Sequence, residues 1–307
     1  MKQLLTGALL IAAALTTSLF PSSVYADRKD GSEKTKAVTK TIQVDDAKIV
    51  YRVYGDKGGT PLVLLSALGF TLDAWDPAVV NGLAKFSTVI VFDNKGVGAS
   101  TGKTPTSIAE MAQDAISFIK ATGYSKVNLL GFSMGGFIAQ EIVETEPQLV
   151  NKLILVGTGP QGSEGLGEIG KILTSAASLP AEEQYLAGFF SPSERSRQAG
   201  KESFARVQAK KEGHDLPLSK ESFGAEFTAV LGWAQPDPAK FERAKTVTTP
   251  VLIVGGQYDI FIPVVNEVRL YQALPNARLV LLPDAGHASL FQYPELFVQE
   301  AIYFLKN

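Results

Sequence analysis

The chain has 307 residues, of which 45% are hydrophobic and 20% charged, with a formal net charge of -2. That suits one large globular domain with room for an inserted subdomain, and the charge balance gives no basic field for nucleic acid. There is no cysteine, which excludes a disulfide framework and a thiolate metal site, and two histidines leave little for a histidine-rich metal centre.

Residues 1–26 read as a signal peptide. Met1-Lys2 is a short basic start, residues 4–20 are mostly apolar, Pro21 ends the run, and Val24-Tyr25-Ala26 places a small residue at a cleavage point. No cysteine follows, so lipid attachment there is excluded. The apolar run is near the lower limit for a bilayer span, so an uncleaved segment is the alternative reading and the one membrane contact expected. Residues 27–40 are polar and charged and read as a disordered linker.

The domain is expected over 41–307. Residues 41–45 and 48–54 alternate like two strands of a hairpin joined at Asp45-Asp46-Ala47. Residues 61–65 and 88–92 are solidly apolar, the pattern of strands buried on both faces in a parallel sheet. A helix is predicted over 77–86. The loop Asn94-Lys95-Gly96-Val97-Gly98 makes a poor phosphate cradle, because Lys95 precedes the glycines and no Ser or Thr follows a Gly-Lys pair. Ser107 with Glu110 forms a capping box for a helix that runs to Ala121 and ends at Gly123.

The apolar run 127–130 leads into Gly131-Phe132-Ser133-Met134-Gly135, and Phe137, Ile138, Ile142 and Val143 then repeat at helical spacing. A strand that turns at once into a helix forces one residue into a strained, exposed position and aims the helix N-terminus at whatever Ser133 attacks. A glycine turn that only packs a helix on a sheet is the plain alternative. Another strand, 152–156, follows. From about 158 to 245 the pattern changes to helices (182–190, 193–211, 220–233), with Phe189, Phe190, Phe204, Phe223, Phe227 and Trp233 as apolar faces expected to line a pocket. Strands return at 250–254 and 278–282, with helices at 263–274 and 290–305. Strands alternating with helices imply an α/β fold, a mostly parallel sheet flanked by helices. The 158–245 block reads as a helical cap inserted between two strands.

A serine hydroxyl needs a base to take its proton, an acid to orient that base and donors for the oxyanion. Asp259 and His287 each stand just past a predicted strand, which places them at the sheet edge where Ser133 lies. Asp93 is a rival acid, Asp259 could instead cap a helix before Pro263, and His287 could be a structural histidine. His214, in a polar stretch, reads as a surface residue.

Ser133 in G-F-S-M-G-G, Asp259 in G-x-x-D-x-x-x-P and His287 in A-G-H resemble the α/β-hydrolase superfamily, near its serine esterase and cofactor-free haloperoxidase branch. Residues 92–100 are similar to that family's D-x-R-G-x-G-x-S loop, with Lys95 in place of Arg. The resemblance implies an α/β-hydrolase fold and a Ser133–Asp259–His287 triad, with Asp93 structural. It also implies backbone oxyanion donors at Met134 and Leu68, and no metal or organic cofactor. Leu65-Ser66-Ala67-Leu68-Gly69 stands where the family usually carries His-Gly. The expected activity is hydrolysis of small to medium carboxylic esters, lactones or thioesters through an acyl-enzyme, the partner being a small-molecule ester and not nucleic acid. Perhydrolase or haloperoxidase-like activity, and a non-catalytic binding or sensing protein on the same scaffold, are the alternatives. The sequence does not set an oligomeric state.

Overall fold

The computed structural model describes residues 37–209 and 214–307. The expected signal peptide and residues 27–36 of the expected linker lie outside the described residues. Eight strands form one sheet in the order β1-β2-β4-β3-β5-β6-β7-β8. The chain enters it through a hairpin, β1 (Val38–Val44) and β2 (Ala47–Tyr54). Asp45 in the connection has φ 49°, a left-handed conformation that Asp tolerates better than most residues. β1 starts at Val38 rather than at 41, inside the stretch expected as linker. The cause is β2, which runs on to Tyr54 and offers partners: Val38 pairs with Val53 and Thr39 with Arg52.

The other strands run parallel: β3 (Leu62–Leu65), β4 (Val89–Phe92), β5 (Val127–Phe132), β6 (Val150–Val156), β7 (Val251–Gly256) and β8 (Ala277–Leu282). Between them lie α1 (Pro77–Ala84), α2 (Ile108–Ala121) and α3 (Met134–Thr145). The stretch between β6 and β7 carries five helices and, among the described residues, no strand. They are α4 (Ile169–Ala176), α5 (Ala181–Phe189), α6 (Glu194–Gln208), α7 (Lys220–Trp233) and α8 (Pro238–Ala244). α9 (Val265–Ala273) joins β7 to β8. The helix expected over 290–305 is two, α10 (Ser289–Gln292) and α11 (Pro294–Lys306). Pro294 has no N–H and crowds the preceding residue out of helical geometry, and Tyr293 sits at φ -124°, ψ 58°.

The strands are apolar on both faces because both faces are covered. Leu62, Leu64, Val89, Leu130, Ile154 and Leu252 pack with α1 and α11. Val63, Leu65, Ile90, Leu129, Leu153 and Ile253 pack with α2 and α3. Each fully buried Leu or Ile stabilises the fold by about 1.5–3 kcal/mol. Ser107 Oγ accepts the Glu110 N–H at the start of α2, as the capping pattern predicts. No helix of the described residues is long and apolar enough to cross a membrane. β3 has β4 on one side and β5 on the other, so the order reverses there. The crevice at the carboxyl ends of β3 and β5 is where open α/β sheets bind ligands.

Candidate active site

Ser133 occupies the turn between β5 and α3 at φ 54°, ψ -118°. This conformation costs a non-glycine residue about 1–3 kcal/mol and persists only where the surroundings impose it. The glycines around it answer to close approach. A Cβ on Gly131 would fall on the Gly135 carbonyl, one on Gly135 on the Leu65 carbonyl, and one on Gly136 on the Thr158 side chain. α3 can therefore start against the end of β3 only if these positions carry no side chain. Thr158 Oγ1 donates to the Ser133 carbonyl at 3.0 Å, and Ser133 N–H donates to Val156 O at 2.9 Å. These bonds fix the peptides on both sides of the serine.

β7 and β8 pair in parallel register, Gly256 opposite Leu282, so their loops leave the same edge side by side. The first loop carries Asp259 and the second His287. Asp259 Oδ1 accepts the N–H groups of Phe261 and Ile262, both at 2.9 Å. Asp259 Oδ2 lies 2.7 Å from His287 Nδ1. One carboxylate oxygen is thus held by backbone and the other orients the imidazole. The ring sits among Phe132, Phe189 and Phe261, with centroids 5.1, 5.8 and 5.1 Å away. Below the pair, Glu267 is buried and its carboxyl meets no hydrogen-bond partner. Burial first, and the Asp259 charge second, push this carboxyl well above its ordinary value. A neutral Glu267 leaves the negative charge on the carboxylate that faces His287.

Ser133 and His287 are neighbours through Phe132 and Gly157. A Cβ on Gly157 would stand 3.3 Å from His287 Nδ1. Among the described residues no hydrogen bond joins Ser133 Oγ to His287. Asp93, the rival acid, lies elsewhere: its Oδ1 accepts the Leu72 N–H at 2.8 Å and its Oδ2 faces Asp215. Among the described residues no three His, Asp or Glu side chains are placed to hold a metal ion. Met134 is the first residue of α3, so its N–H is one of those a helix leaves unpaired. In the loop after β3, Gly69 N–H donates to Glu226 and Phe70 N–H to Ala67 O. Of these three loop residues only Leu68 keeps an uncommitted N–H among the described residues.

Residues 60–294 match the sequence pattern of the family described as alpha/beta hydrolase fold. The chain belongs to this family. It is similar to an alpha/beta hydrolase fold protein from Chitinophaga pinensis at 38% identity and a TM-score of 0.85, covering 89% of this chain and 98% of that one. A Mycobacterium tuberculosis H37Rv protein named provisionally as a non-heme bromoperoxidase, BpoC, is 28% identical over 262 residues, 79% of this chain and 92% of that protein. Est816, described as an N-acyl homoserine lactone degrading enzyme, is 25% identical with a TM-score of 0.65, covering 86% of this chain and all of that one. Family membership makes this one of a superfamily of hydrolases.

A cavity of about 420 Å³ opens beside the site, within the ~300–1,000 Å³ range of small-molecule sites. Leu68, Phe70, Leu173, Phe189, Phe223 and Phe261 are among its walls. Neither Ser133 nor His287 lines it, but Phe189 and Phe261 of its wall pack against His287 and Leu68 of its wall belongs to the loop after β3. Of the cap aromatics expected to line a pocket, Phe189 and Phe223 do so. Trp233 does not: it is buried, stacks on Phe137 of α3 at 5.2 Å and donates to Gly159 O. A ring pinned against α3 does not line the cavity. His214 is exposed, as expected, yet it lines the cavity mouth.

Glu226 belongs to none of the sequence motifs. It is fully buried on α7 and bonded to Gly69 and Asn94. A signal was present, since Phe223 and Val230 at i-3 and i+4 place position 226 on the inward face.

Proposed function

We propose that the chain is an exported serine hydrolase that cleaves small to medium carboxylic esters, lactones or thioesters through an acyl-enzyme at Ser133. The observation that carries this reading is the 2.7 Å bond from Asp259 to His287, on the same sheet edge as a serine held at φ 54°. Ser133 Oγ attacks the carbonyl while His287 Nε2 takes its proton and passes it to the leaving alkoxide; water then repeats the cycle. Asp259 holds the tautomer that keeps Nε2 free. Met134 and Leu68 N–H groups bind the oxyanion at the N-terminus of α3. Catalytic hydrogen bonds often tighten only in the substrate complex, which accommodates the open Ser133–His287 contact.

The apolar cavity takes the acyl part. Its volume of about 420 Å³ suits a small to medium acyl chain. The likeness to Est816 supports lactones as substrates, and the likeness to BpoC supports peroxide as an alternative to water at the acyl-enzyme. Residues 1–26 are proposed to direct export, checked by finding Asp27 as the first residue of secreted protein.

The test is labelling by a fluorophosphonate and hydrolysis of p-nitrophenyl esters of graded chain length. Ser133→Ala is expected to lose labelling and about 10⁶-fold in kcat, and Asp259→Asn about 10⁴-fold. Phe223→Ala is expected to favour longer chains, and Trp233→Ala to leave the ranking unchanged. A folded Ser133→Ala protein with undiminished turnover overturns the reading, and a wild-type chain that neither labels nor hydrolyses is a binding protein.

A further inference from the structure

The cap reaches the oxyanion loop with one buried carboxylate. Glu226 extends from α7 with no solvent exposure. Its Oε2 accepts the Gly69 N–H at 2.9 Å and its Oε1 accepts Asn94 Nδ2 at 3.2 Å. The bond to the Gly69 N–H fixes the Leu68–Gly69 peptide, and the Phe70 N–H to Ala67 O bond at 3.1 Å closes the same turn through the Ala67–Leu68 peptide, which carries the Leu68 N–H. Asn94 directly follows Asp93, whose Oδ1 holds the Leu72 N–H of the same loop. Glu226 and Asp93 grip the loop three residues apart.

We propose that Glu226 is a positioning residue for the oxyanion loop, and that only its carboxylate form holds the Leu68 N–H in the productive direction. The inference rests on the serine-hydrolase reading. Both partners of Glu226 are donors. A protonated carboxyl must place its own hydrogen on one oxygen, and neither the Gly69 N–H nor the Asn94 amide nitrogen can accept it. Protonation therefore weakens the bond at the oxygen that takes the hydrogen and leaves a buried O–H without an acceptor unless Asn94 turns over.

Burial pushes the Glu226 carboxyl up to about 7, with the Gly69 and Asn94 bonds acting in the opposite direction. Among the described residues no charged side chain contributes to that shift. The titratable groups of the neighbouring loops and of α2 are engaged elsewhere. Asp93 faces Asp215, Asp73 pairs with Arg52, and Asp114 lies 3.9 Å from Lys95. Glu226 thus exchanges its proton near neutrality, and the loop is held above that pH and loosened below it.

Turnover then requires an ionised Glu226 in addition to a free base. The experiment compares kcat and KM for a p-nitrophenyl ester from pH 5 to 9 in wild type, Glu226→Gln, Glu226→Ala and Ser133→Ala, with circular dichroism as the folding control. In wild type the acid limb of log kcat is expected to approach a slope of two. Glu226→Gln cannot ionise and, like the neutral acid, keeps one acceptor and turns a donor toward the other partner; its slope falls to one, its kcat at pH 8 falls about 10-fold, and below pH 6 it converges on wild type. Glu226→Ala is expected to lose about 10- to 100-fold in kcat with KM little changed, because an oxyanion donor acts in the transition state.

A Glu226→Gln profile with the wild-type slope overturns the proposal, as does an undiminished kcat in folded Glu226→Ala. If Glu226→Ala does not fold, the Gln profile alone decides. Turnover retained in Ser133→Ala sinks the serine-hydrolase reading itself. Turnover lost in Ser133→Ala beside Glu226 variants that match wild type sinks only the role of Glu226.

Discussion

The nucleophile turn and the loop after β3 face the same crevice and are held in opposite ways. The turn is set by its own sequence. β5 runs into α3, three glycines permit the close approach, and the bonds that fix Ser133 come from the end of β6 and from Thr158 just after it. The loop after β3 has turns of its own, closed by Phe70 N–H to Ala67 O and Ala74 N–H to Thr71 O, but is fixed in place from outside. Gly69 is held by Glu226, Leu72 by Asp93, Asp73 by Arg52, and the buried Asp76 by Ser203 at 2.6 Å and Arg206 at 2.7 Å. Three of those anchors, Ser203, Arg206 and Glu226, belong to the cap helices α6 and α7. The nucleophile is a property of the sheet, while the oxyanion loop is a joint property of sheet and cap.

Gly135→Ala is expected to have the largest effect on that contrast. Its Cβ would fall on the Leu65 carbonyl, so α3 must move away from β3. Overpacking of this kind costs about 3 kcal/mol, and hydrolysis is expected to vanish because Ser133 moves with the helix. Urea unfolding and ester turnover check both; an unaffected variant would mean that close approach does not set the turn.

A backbone ester at Leu68, which deletes only its N–H, is expected to lower kcat by about 10²–10³-fold, or ~3–4 kcal/mol, with KM nearly unchanged. Unchanged kcat would show that another donor serves.

Asp93→Asn is expected to have the smallest effect. Asp93 Oδ2 and Asp215 Oδ2 face each other without a donor, and one shared proton satisfies both. Burial, then Asp215, raise the Asp93 carboxyl well above its ordinary value. The folded chain therefore binds this proton more tightly than the unfolded chain. The stability it confers is complete below about pH 4 and is lost as pH rises through the folded value. Asn matches the neutral acid in shape, so the variant is expected to equal wild type within about 0.5 kcal/mol at low pH and to melt higher at pH 8 to 9. A variant that melts lower at both pH values would refute the shared proton.

This contrast also explains what the sequence disclosed. The strands were legible because burial on both faces leaves unbroken apolar runs such as Leu62–Leu65. The nucleophile turn was legible because its glycines and its serine lie within a few residues of one another. Asp259 and His287 stood out by their place after strands, and the structure brings them together. The role of Trp233 was not legible, since an aromatic on a cap helix looks the same whether it faces a cavity or Phe137. The split at Tyr293 was marked by Pro294 and overridden by the apolar period on both sides of it. Glu226 and Asp215 act across more than a hundred residues of chain, and no local pattern records such a bond.

The cap leaves and rejoins the sheet between neighbouring strands, since Val156 ends β6 and Val251 begins β7. Closing a loop on the order of 95 residues costs about 4 kcal/mol of chain entropy, so this pairing is expected to come late in folding. Everything N-terminal to it, Ser133 included, can assemble from shorter-range contacts, whereas Asp259 and His287 arrive only with β7 and β8. During refolding, ester hydrolysis is then expected to lag behind the recovery of far-ultraviolet dichroism. A chain halted before that closure would carry its nucleophile with nothing to take the proton, and would be chemically inert until the last strands dock.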